Sequence, residues 1–306
     1  MVLKDYLAGV RYKTAMGEEE LERLPVTSVT NDSRQVRKGS VFICIRGGRF
    51  DGHDKAAGAL EAGAAAIVVE RDLGLPRQIL VENTRAAYAL LCGNHFGNPA
   101  SRLKLIGVTG TSGKTTVAFL IKSILQEAGE KVGLIGTIHN EIGQWEFPAK
   151  HTTPDPYQLH TMLERMAEAG CRYVVMEASS HALDQHRLEG CRFAAAVFTN
   201  LSQDHLDYHG TMENYFAAKK KLFAMADTAV VNLDDSKGLE LAEELGPETV
   251  TFSLEKDEAT LTARNITSNV KGSSFLLVGE KIIQRTRIGM PGRFSVSNGM
   301  AAAAAC

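Results

Sequence analysis

Apolar runs alternate with helix-like segments over the first hundred residues, and this alternation predicts a small α/β domain. The apolar runs are short and rich in β-branched residues, which is typical of buried strands, whereas the segments between them have helical spacing. The predicted strands are 41–45, 64–69 and 78–81, and the predicted helices are 55–62 and 84–96. Because the breaker Gly97-Asn98-Pro99 follows, we place this domain at 1–98 and a second domain at 99–306.

The alternation continues through the second domain and predicts a mostly parallel sheet. The predicted strands are 103–108, 131–138, 172–176 and 193–198, and the predicted helices are 117–127 and 212–225. A hairpin is predicted through Gly143, and a hairpin-like region at 261–288. Pro154 and Pro156 prevent a helix from beginning before about residue 156. Residues 301–306 lie in a predicted helix with no cap and no partner, so we expect this terminus to fray.

Composition and charge exclude several classes of protein. The chain has 306 residues, 44% of them hydrophobic, which is enough to bury a sizeable core. A formal net charge of -2 without basic stripes argues against nucleic-acid binding. No apolar run approaches the roughly 20 residues that span a bilayer, so we expect a cytosolic protein with no membrane partner. The five cysteines form no C-x-x-C pair, which favours buried thiols over disulfides or zinc.

A strand, a glycine-containing loop and a helix follow one another over 103–127, and this order predicts a phosphate-binding loop. Gly110 and Gly113 allow backbone N–H groups to turn toward an anion, and the helix N-terminus adds partial positive charge. Lys114 can reach terminal phosphates and Thr115 can hold Mg²⁺. The loop is a shortened form of the general Walker motif and lacks its first glycine. The structural alternative is a glycine-rich turn that only caps a helix.

Polar residues also gather directly after other predicted strands, where open α/β sheets place ligands. Glu177 ends the strand predicted beside the phosphate-loop strand, which makes it the first candidate metal ligand. Thr152 and Thr153 follow another strand, and their hydroxyls either bind a second phosphate group or cap a helix. Gln185 and Arg187 suit a phosphorylated or carboxylated substrate, although Arg187 fits a solvated helix face equally well.

The segment 204–209 places two carboxylates and two histidines within six residues after a buried strand. Such polar density usually serves a functional site. A zinc centre formed by these four side chains is one hypothesis, but adjacent loop residues rarely converge on one ion. We favour a single histidine that completes a magnesium shell beside a carboxylate. Three lysines follow at 219–221, and we expect Lys220 and Lys221 to form a solvated face.

Two polar clusters of the first domain, 31–34 and 46–53, lie near predicted strand ends as well. Ser33 and His53 in these clusters could donate hydrogen bonds to a sugar, a base or a phosphate. The structural alternative is that both clusters are turns that cap helices. On the residues alone we favour that alternative.

Six stretches together resemble the ATP-dependent Mur ligases, and the resemblance covers nearly the whole chain. They are Asp-Ser-Arg at 32–34, Asp-Gly-His at 51–53, Gly-Thr-Ser-Gly-Lys-Thr-Thr at 110–116, Thr-Thr-Pro at 152–154, Met-Glu-Ala-Ser-Ser-His-Ala-Leu at 176–183 and Asp-His-Leu-Asp-Tyr-His-Gly at 204–210. The last two resemble the members that add the third amino acid to UDP-N-acetylmuramoyl-L-alanyl-D-glutamate. The resemblance implies an N-terminal UDP-sugar-binding domain and a central ATP-binding domain.

The resemblance also implies roles for individual residues. ATP would be held by Gly110, Thr111, Ser112, Gly113, Lys114, Thr115 and Thr116, with Asn298 on the adenine. Magnesium would be held by Thr115, Glu177 and His205, with Lys219 carbamylated by CO2 on the metal side. The catalytic residues would be Lys114, His205 and Lys219. The UDP-sugar peptide would contact Ser33, Thr152, Thr153, Ser179, Gln185 and Arg187. One departure is Ser295, where the family usually has asparagine.

The implied reaction belongs to peptidoglycan precursor synthesis in the cytoplasm and is carried out by a monomer. The γ-phosphate of ATP passes to the free carboxylate of the UDP-sugar dipeptide, and the amine of diaminopimelate or L-lysine attacks the resulting acyl phosphate. Family members continue into a third, Rossmann-like domain, so we expect this chain to be an incomplete form. Two alternatives stay open. One is another ligase, such as folylpolyglutamate synthetase or the D-alanyl-D-alanine-adding Mur enzyme, and the other is a non-catalytic module that binds ATP and UDP-sugar.

Overall fold

The computed structural model of the protein describes residues 1–48, 50–143 and 145–306. Arg49 of the predicted 46–53 cluster and Gln144 of the predicted hairpin lie outside the described residues. The described residues divide into two compact units. The first unit comprises Met1–Pro99, Pro154–Glu164 and Gln185–Gly190, and the second comprises Ala100–Thr153, Arg165–Asp184 and Cys191–Cys306.

The first unit contains a five-stranded sheet in the order β1-β5-β4-β3-β2. Its strands are β1 (Tyr12–Lys13), β2 (Ser28–Thr30), β3 (Ser40–Ile43), β4 (Ala66–Val69) and β5 (Gln78–Val81). Its helices are α1 (Leu3–Tyr6), α2 (Glu18–Arg23), α3 (Ala56–Glu61) and α4 (Thr84–His95). Strands β2 to β5 are parallel, and β1 is antiparallel to β5. The predicted strands and helices of this region are confirmed apart from their ends, whereas β1 and β2 are too short to show a pattern.

Both polar clusters of the first unit cap short 3₁₀ helices, as the structural alternative predicted. Asp32 accepts a hydrogen bond from the backbone of Arg34, and Asp51 accepts one from the backbone of His53. The His53 side chain is buried; its Nδ1 lies 2.6 Å from Asp51 Oδ1, and its Nε2 accepts from the Glu70 N–H at 2.9 Å. The hypothesis that His53 donates to a ligand is therefore wrong, because the fold itself uses both ring nitrogens.

The second unit contains an eleven-stranded sheet in the order β16-β15-β14-β13-β12-β11-β6-β10-β7-β8-β9. Its strands are β6 (Lys104–Thr109), β7 (Val132–Ile135), β8 (His139–Ile142), β9 (Trp145–Pro148), β10 (Tyr173–Glu177), β11 (Phe193–Phe198), β12 (Ala226–Asn232), β13 (Val250–Ser253), β14 (Leu261–Asn269), β15 (Gly272–Gly279) and β16 (Ile282–Ile288). The strands from β7 to β14 in this order are parallel, and the two ends of the sheet are antiparallel hairpins. The predicted fold class is confirmed.

The helices in this part of the chain are α5 (Lys114–Glu127), α6 (Pro156–Glu168), α7 (Ser180–Asp184), α8 (Leu206–His209), α9 (Met212–Lys220), α10 (Ser236–Leu245) and α11 (Arg293–Ala305), and the residues of α6 up to Glu164 belong to the first unit. Helices α5, α10 and α11 pack against the strands of the sheet. In α5 the buried side chains of Val117, Ile121 and Leu125 repeat every four residues and face the core beside Val108 and Val175. Burying each such side chain contributes about 1.5–3 kcal/mol, which fixes α5 directly after β6.

The C-terminal helix α11 differs from its prediction. We expected the alanine-rich end to lack partners and fray, but Met300, Ala301 and Ala302 are buried in the same core as α5. The physical reason is that Met300 fills the core while the small Ala301 and Ala302 let the helix approach its neighbours closely. A Cβ at Gly299 would lie 2.1 Å from Ile288 Cδ1, so a side chain there would require Ile288 to move.

Two compositional predictions can also be compared with the structure. Four of the five cysteines, Cys44, Cys92, Cys171 and Cys191, are buried free thiols, as predicted, and Cys306 is exposed. Among the described residues, we find no helix whose length and apolar character would let it cross a bilayer.

Candidate functional site

The glycine loop connects β6 to α5, and its two glycines are sterically required. Gly110 has a φ of +144° and Gly113, the N-cap of α5, has a φ of +86°, conformations that side chains rarely adopt. A Cβ at Gly110 would lie 2.0 Å from Thr199 Oγ1, and one at Gly113 would lie 2.4 Å from Asn298 Oδ1. The loop therefore packs directly against the residues after β11 and against α11.

Residues at the end of β11 fix the backbone of this loop. Thr199 Oγ1 donates to the Ser112 carbonyl at 2.7 Å. The Asn200 side chain accepts from the Ser112 N–H at 3.0 Å and donates to the Ser112 carbonyl at 3.1 Å. The Asn200 carbonyl accepts from the Thr111 N–H at 2.9 Å. The sequence analysis did not assign Thr199 and Asn200, although their place directly after a predicted strand was a usable signal.

Two lysines, of which Lys114 is partly buried and Lys219 buried, donate hydrogen bonds to one carbonyl of the loop. Lys114 Nζ lies 3.0 Å from the Gly110 oxygen and 2.8 Å from the Thr111 oxygen. Lys219, only 1% exposed, places its Nζ 2.7 Å from the same Gly110 oxygen and 4.4 Å from the centre of the Tyr215 ring. Burial lowers the pKa of Lys114, and burial together with the charge of Lys114 lowers the pKa of Lys219 to about 6.

Glu177 ends β10, which pairs with β6 so that Glu177 stands beside Val108. Its carboxylate is buried at 1% exposure. Oε1 accepts from Thr115 Oγ1 at 3.0 Å and from the Thr137 N–H at 2.8 Å, and Oε2 accepts from Thr137 Oγ1 at 3.0 Å. Three donors thus satisfy a carboxylate that has left water, and they fix both of its oxygens beside the first turn of α5.

The candidate residues meet in one cavity of about 190 Å³ at the carboxyl end of the parallel strands. Its lining comprises Thr111, Gly113, Lys114, Thr115, Thr137, Thr152, Glu177, Ser179, Ser180, His205, Tyr215 and Lys219. His205 is the N-cap of α8 with a φ of +52°, and its side chain is 49% exposed. The structure therefore brings the predicted lysines, carboxylate and histidine together, and it adds Thr137 and Tyr215, which sequence analysis missed.

The four side chains of the zinc hypothesis do not converge. His209 is buried, and its Nε2 lies 2.9 Å from Ser180 Oγ, while Asp204 and His205 lie on the exposed side of the same segment. In the part of the chain that the structure describes, the three-residue group with mutually close ligand atoms is a different one, formed by His139, Glu141 and Glu146. Lys122 already forms an ion pair with Glu141 in that group.

The residues predicted to contact a UDP-sugar peptide fall in both units. Ser33, Gln185 and Arg187 belong to the first unit, where Ser33 is exposed and Arg187 Nη2 donates to Gln185 Oε1 at 3.0 Å. Thr152, Thr153 and Ser179 belong to the second unit, and Thr152 and Ser179 line the cavity. Thr153 is buried; its hydroxyl donates to the Glu177 carbonyl at 2.7 Å and accepts from the Ser179 N–H at 3.0 Å.

These features define the class of protein first. A strand, a glycine loop and a helix N-terminus, with a buried lysine and a buried carboxylate at the carboxyl edge of a parallel sheet, form an α/β fold of the phosphate-loop class. The particular family follows from the sequence match. The chain belongs to the Mur ligase family, because residues 108–306 match the Mur ligase middle domain and residues 25–91 match the Mur ligase family catalytic domain.

Individual relatives agree with this assignment. A Clostridium perfringens protein named UDP-N-acetylmuramoyl-L-alanyl-D-glutamate--2,6-diaminopimelate ligase is 42% identical over 308 residues, which cover 98% of this chain and 63% of that protein. A Bacillus velezensis protein of the same name is 42% identical over 289 residues, covering 91% and 59%. The chain thus spans about three fifths of the length of these curated relatives.

Solved structures give the same picture. The structure of a protein with that ligase name superposes with a TM-score of 0.86 at 30% identity, covering 99% of this chain and 62% of the other. MurF from Acinetobacter baumannii superposes with a TM-score of 0.60 at 21% identity, covering 96% of this chain and 64% of the other, and therefore shares the fold.

Proposed function

We propose that this chain takes part in the ATP-dependent, ADP-forming ligation of an amino acid to UDP-N-acetylmuramoyl-L-alanyl-D-glutamate in the cytoplasm, as a step of peptidoglycan precursor synthesis. The observation that carries the proposal is the single cavity in which Lys114, Thr115, Glu177, His205 and Lys219 surround the glycine loop. The names of the relatives support diaminopimelate as the amino acid. L-lysine is the competing substrate.

The residues present fit a nucleoside triphosphate with magnesium. The loop packs so closely on Thr199 and Asn298 that neither Gly110 nor Gly113 could carry a Cβ, and it leads into the N-terminus of α5, where backbone N–H groups suit phosphate. Lys114 would hold the terminal phosphates. Thr115, Glu177 and His205 would hold Mg²⁺, for which oxygen ligands are preferred. Asn298, buried beside Gly113, would contact the adenine.

The chemistry requires two anions, a carboxylate and a phosphate, to approach each other. When bound, MgATP supplies the phosphoryl group that turns a carboxylate oxygen of the dipeptide into a leaving group. The Lys114 ammonium offsets the repulsion between the two anions, and its burial strengthens this effect because the local dielectric is low. Thr152 and Ser179 line the same cavity and would contact the dipeptide there. Ser33, Thr153, Gln185 and Arg187 complete our assignment of residues to the UDP-sugar dipeptide.

Lys219 is our candidate for carbamylation. Its Nζ and that of Lys114 donate to the same Gly110 oxygen, at 2.7 and 3.0 Å, and burial beside the charge of Lys114 lowers the pKa of Lys219 to about 6. At neutral pH Lys219 is therefore mainly an uncharged amine, the form that reacts with CO2. The carbamate would pair an anion with the Lys114 ammonium and add an oxygen ligand on the metal side.

An assay of ADP release tests the proposal. The chain is incubated with ATP, Mg²⁺, the UDP-sugar dipeptide and either meso-diaminopimelate or L-lysine. We expect ADP release that requires the dipeptide and is faster with diaminopimelate. Nucleotide binding without ADP release under any substrate combination would instead indicate a binding module, and the absence of both would contradict the proposal.

A further inference from the structure

We propose that Thr137 is a positioning residue, which orients the Glu177 carboxylate and directs the hydroxyl of Thr152; the inference rests on the proposed function of this cavity. Thr137 supplies two of the three hydrogen bonds that Glu177 accepts, from its N–H at 2.8 Å and from its Oγ1 at 3.0 Å. The third comes from Thr115 Oγ1 at 3.0 Å. Thr137 therefore determines the orientation of Glu177 more than any other residue that the structure describes around this carboxylate.

The hydroxyl of Thr137 also sets the direction of a chain of hydrogen bonds. Its Oγ1 lies 3.0 Å from Thr152 Oγ1 as well as 3.0 Å from Glu177 Oε2. A carboxylate only accepts, so the single hydrogen of Thr137 goes to Glu177. The hydrogen between the two threonines must then come from Thr152, and the chain runs from Thr152 through Thr137 to Glu177.

This direction determines what Thr152 offers to a ligand. Its hydrogen is used on Thr137, so its oxygen presents lone pairs to the cavity. Thr152 would accept a hydrogen bond from an amide N–H or a hydroxyl of the dipeptide substrate. The sequence alone left a phosphate ligand, which needs a donor, and a helix-capping role equally open. Thr137 thus connects the metal side of the cavity to the recognition of a donor group on the substrate.

The residue before Thr137 shows that the backbone is built around this carboxylate. Strand β7 pairs with β10 so that Ile135 stands opposite Met176, which places Gly136 beside Glu177. A Cβ at Gly136 would lie 2.5 Å from Glu177 Oε1. Gly136 therefore permits the close approach, and Thr137 provides the donors. A methyl group at position 136 should displace the Glu177 carboxylate. Loss of the Thr137 hydroxyl should leave the same carboxylate misoriented.

Calorimetric titration of the 306-residue chain with ADP, in Mg²⁺ and in EDTA, tests the inference. In Mg²⁺ we expect Thr137→Val to weaken ADP binding about tenfold, because a hydrogen bond to a charged group is lost, and in EDTA to leave it within about twofold. Thr137→Ser keeps the hydroxyl and should stay within about threefold of wild type in both buffers. Thr161→Val removes a hydroxyl that donates to Tyr157 within α6, outside the cavity, and should change neither titration.

The outcomes separate this inference from the proposed function. If the wild-type chain shows no Mg²⁺-dependent ADP binding, the proposed function and the inference both fail. If wild type binds but Thr137→Val binds equally well in Mg²⁺, only the role of Thr137 is overturned. A loss of equal size in Mg²⁺ and in EDTA, or no rescue by serine, also overturns it. Should the valine variant not fold, Gly136→Ala decides: a selective loss in Mg²⁺ supports the inference, and wild-type binding overturns it.

Discussion

At the scale of single residues, the charge balance of the cavity is set by its lysines and by the carboxylate that lies near them. Lys114 and Lys219 both donate to the Gly110 oxygen, and Glu177 is the buried carboxylate that lines the same cavity. Lys219 additionally contacts the face of Tyr215, a favourable position for a cation. We assign the two lysines different roles, so a separate alanine variant tests each of them.

Lys114→Ala should lower ADP formation by about 100- to 1,000-fold, because removing a charged group that stabilises a developing phosphoryl transition state has an effect of this size. The fold should be retained, which circular dichroism melting would check. Lys104→Ala removes an exposed lysine at the start of β6 and serves as the matched control, with activity near wild type. ADP formation at the wild-type rate in Lys114→Ala would contradict the role of this lysine.

Lys219→Ala should lose activity that added formate or acetate partly restores, since a small carboxylate can take the place of a carbamate. ADP release measured across a range of formate concentrations gives the readout. Lys220→Ala is the control, because Lys220 is paired with Glu244 away from the cavity lining and its loss should neither lower activity nor create a formate response. A Lys219→Ala protein that stays inactive at every carboxylate concentration would count against carbamylation.

His160, in the first unit, should make the chain less stable in acid. It is 2% exposed, and neither ring nitrogen has a partner among the described residues. Burial lowers its pKa from 6.5 to about 4, so the unfolded chain binds a proton first as pH falls. The stabilisation is complete above about pH 6.5 and is lost between pH 6.5 and 4, by about 3 kcal/mol in total.

Denaturant unfolding of His160→Leu at pH 7 and pH 4.5 measures this effect. The variant should lose less unfolding free energy between the two pH values than wild type, by the share that His160 contributes; burial also lowers the pKa of His95 and His209, which keep their own shares. His151→Leu, which replaces an exposed histidine, should keep the wild-type dependence. An unchanged pH dependence in His160→Leu would show that the imidazole is solvated or paired in solution.

At the scale of elements, sequence patterns predicted positions that depend on local spacing and missed those that depend on strand order. Glu177 was found because it follows a predicted strand directly, and His205 because it lies in the polar segment 204–209 of the loop after a predicted strand. Thr137 was missed because its contact with Glu177 requires β7 to lie beside β10, which spacing does not reveal. The capping alternative favoured for the cluster of His53 is confirmed, but its Nε2 partner, the Glu70 N–H, lies after the next strand and could not be read from local spacing.

Helix α11 gives the test at this scale, because local sequence predicted fraying and tertiary packing prevents it. Met300 is fully buried in the core shared with α5, so Met300→Ala should lower the unfolding free energy by about 2–5 kcal/mol. Phe294→Ala, in the same helix but 54% exposed, should cost less than about 1 kcal/mol. Equal costs for the two variants, measured by denaturant unfolding, would mean that the helix end is not packed in solution.

At the scale of the whole molecule, the order of secondary structure was predictable and the path of the chain between units was not. The alternation of strands and helices indicated two α/β domains, yet residues 154–164 and 185–190 belong to the first unit although they lie within the second half of the sequence. Their membership is determined by contacts such as the ring pair of His95 and Tyr157 within the first unit, which no local pattern encodes.

Ligand binding provides a global readout of the proposed site. Saturation with ADP and Mg²⁺ at a hundredfold excess over Kd should raise the unfolding free energy of the unit that binds it by about 2.7 kcal/mol. Gly110→Ala should abolish this shift, because its Cβ would lie 2.0 Å from Thr199 Oγ1 and distort the loop. Gly129→Ala, at a positive-φ glycine after α5 with no atom near its Cβ, controls for backbone strain alone. A full shift in Gly110→Ala would contradict the assignment of this loop.

The pair of lysine Nζ groups on one loop carbonyl has a practical consequence for handling the protein. Sulfate and inorganic phosphate carry the charge and size that these groups attract, so either salt in a buffer would compete with the nucleotide. Affinities determined in phosphate-buffered solutions would accordingly underestimate those in a zwitterionic buffer with chloride. The ratio of the two values would itself report how strongly the loop binds small anions.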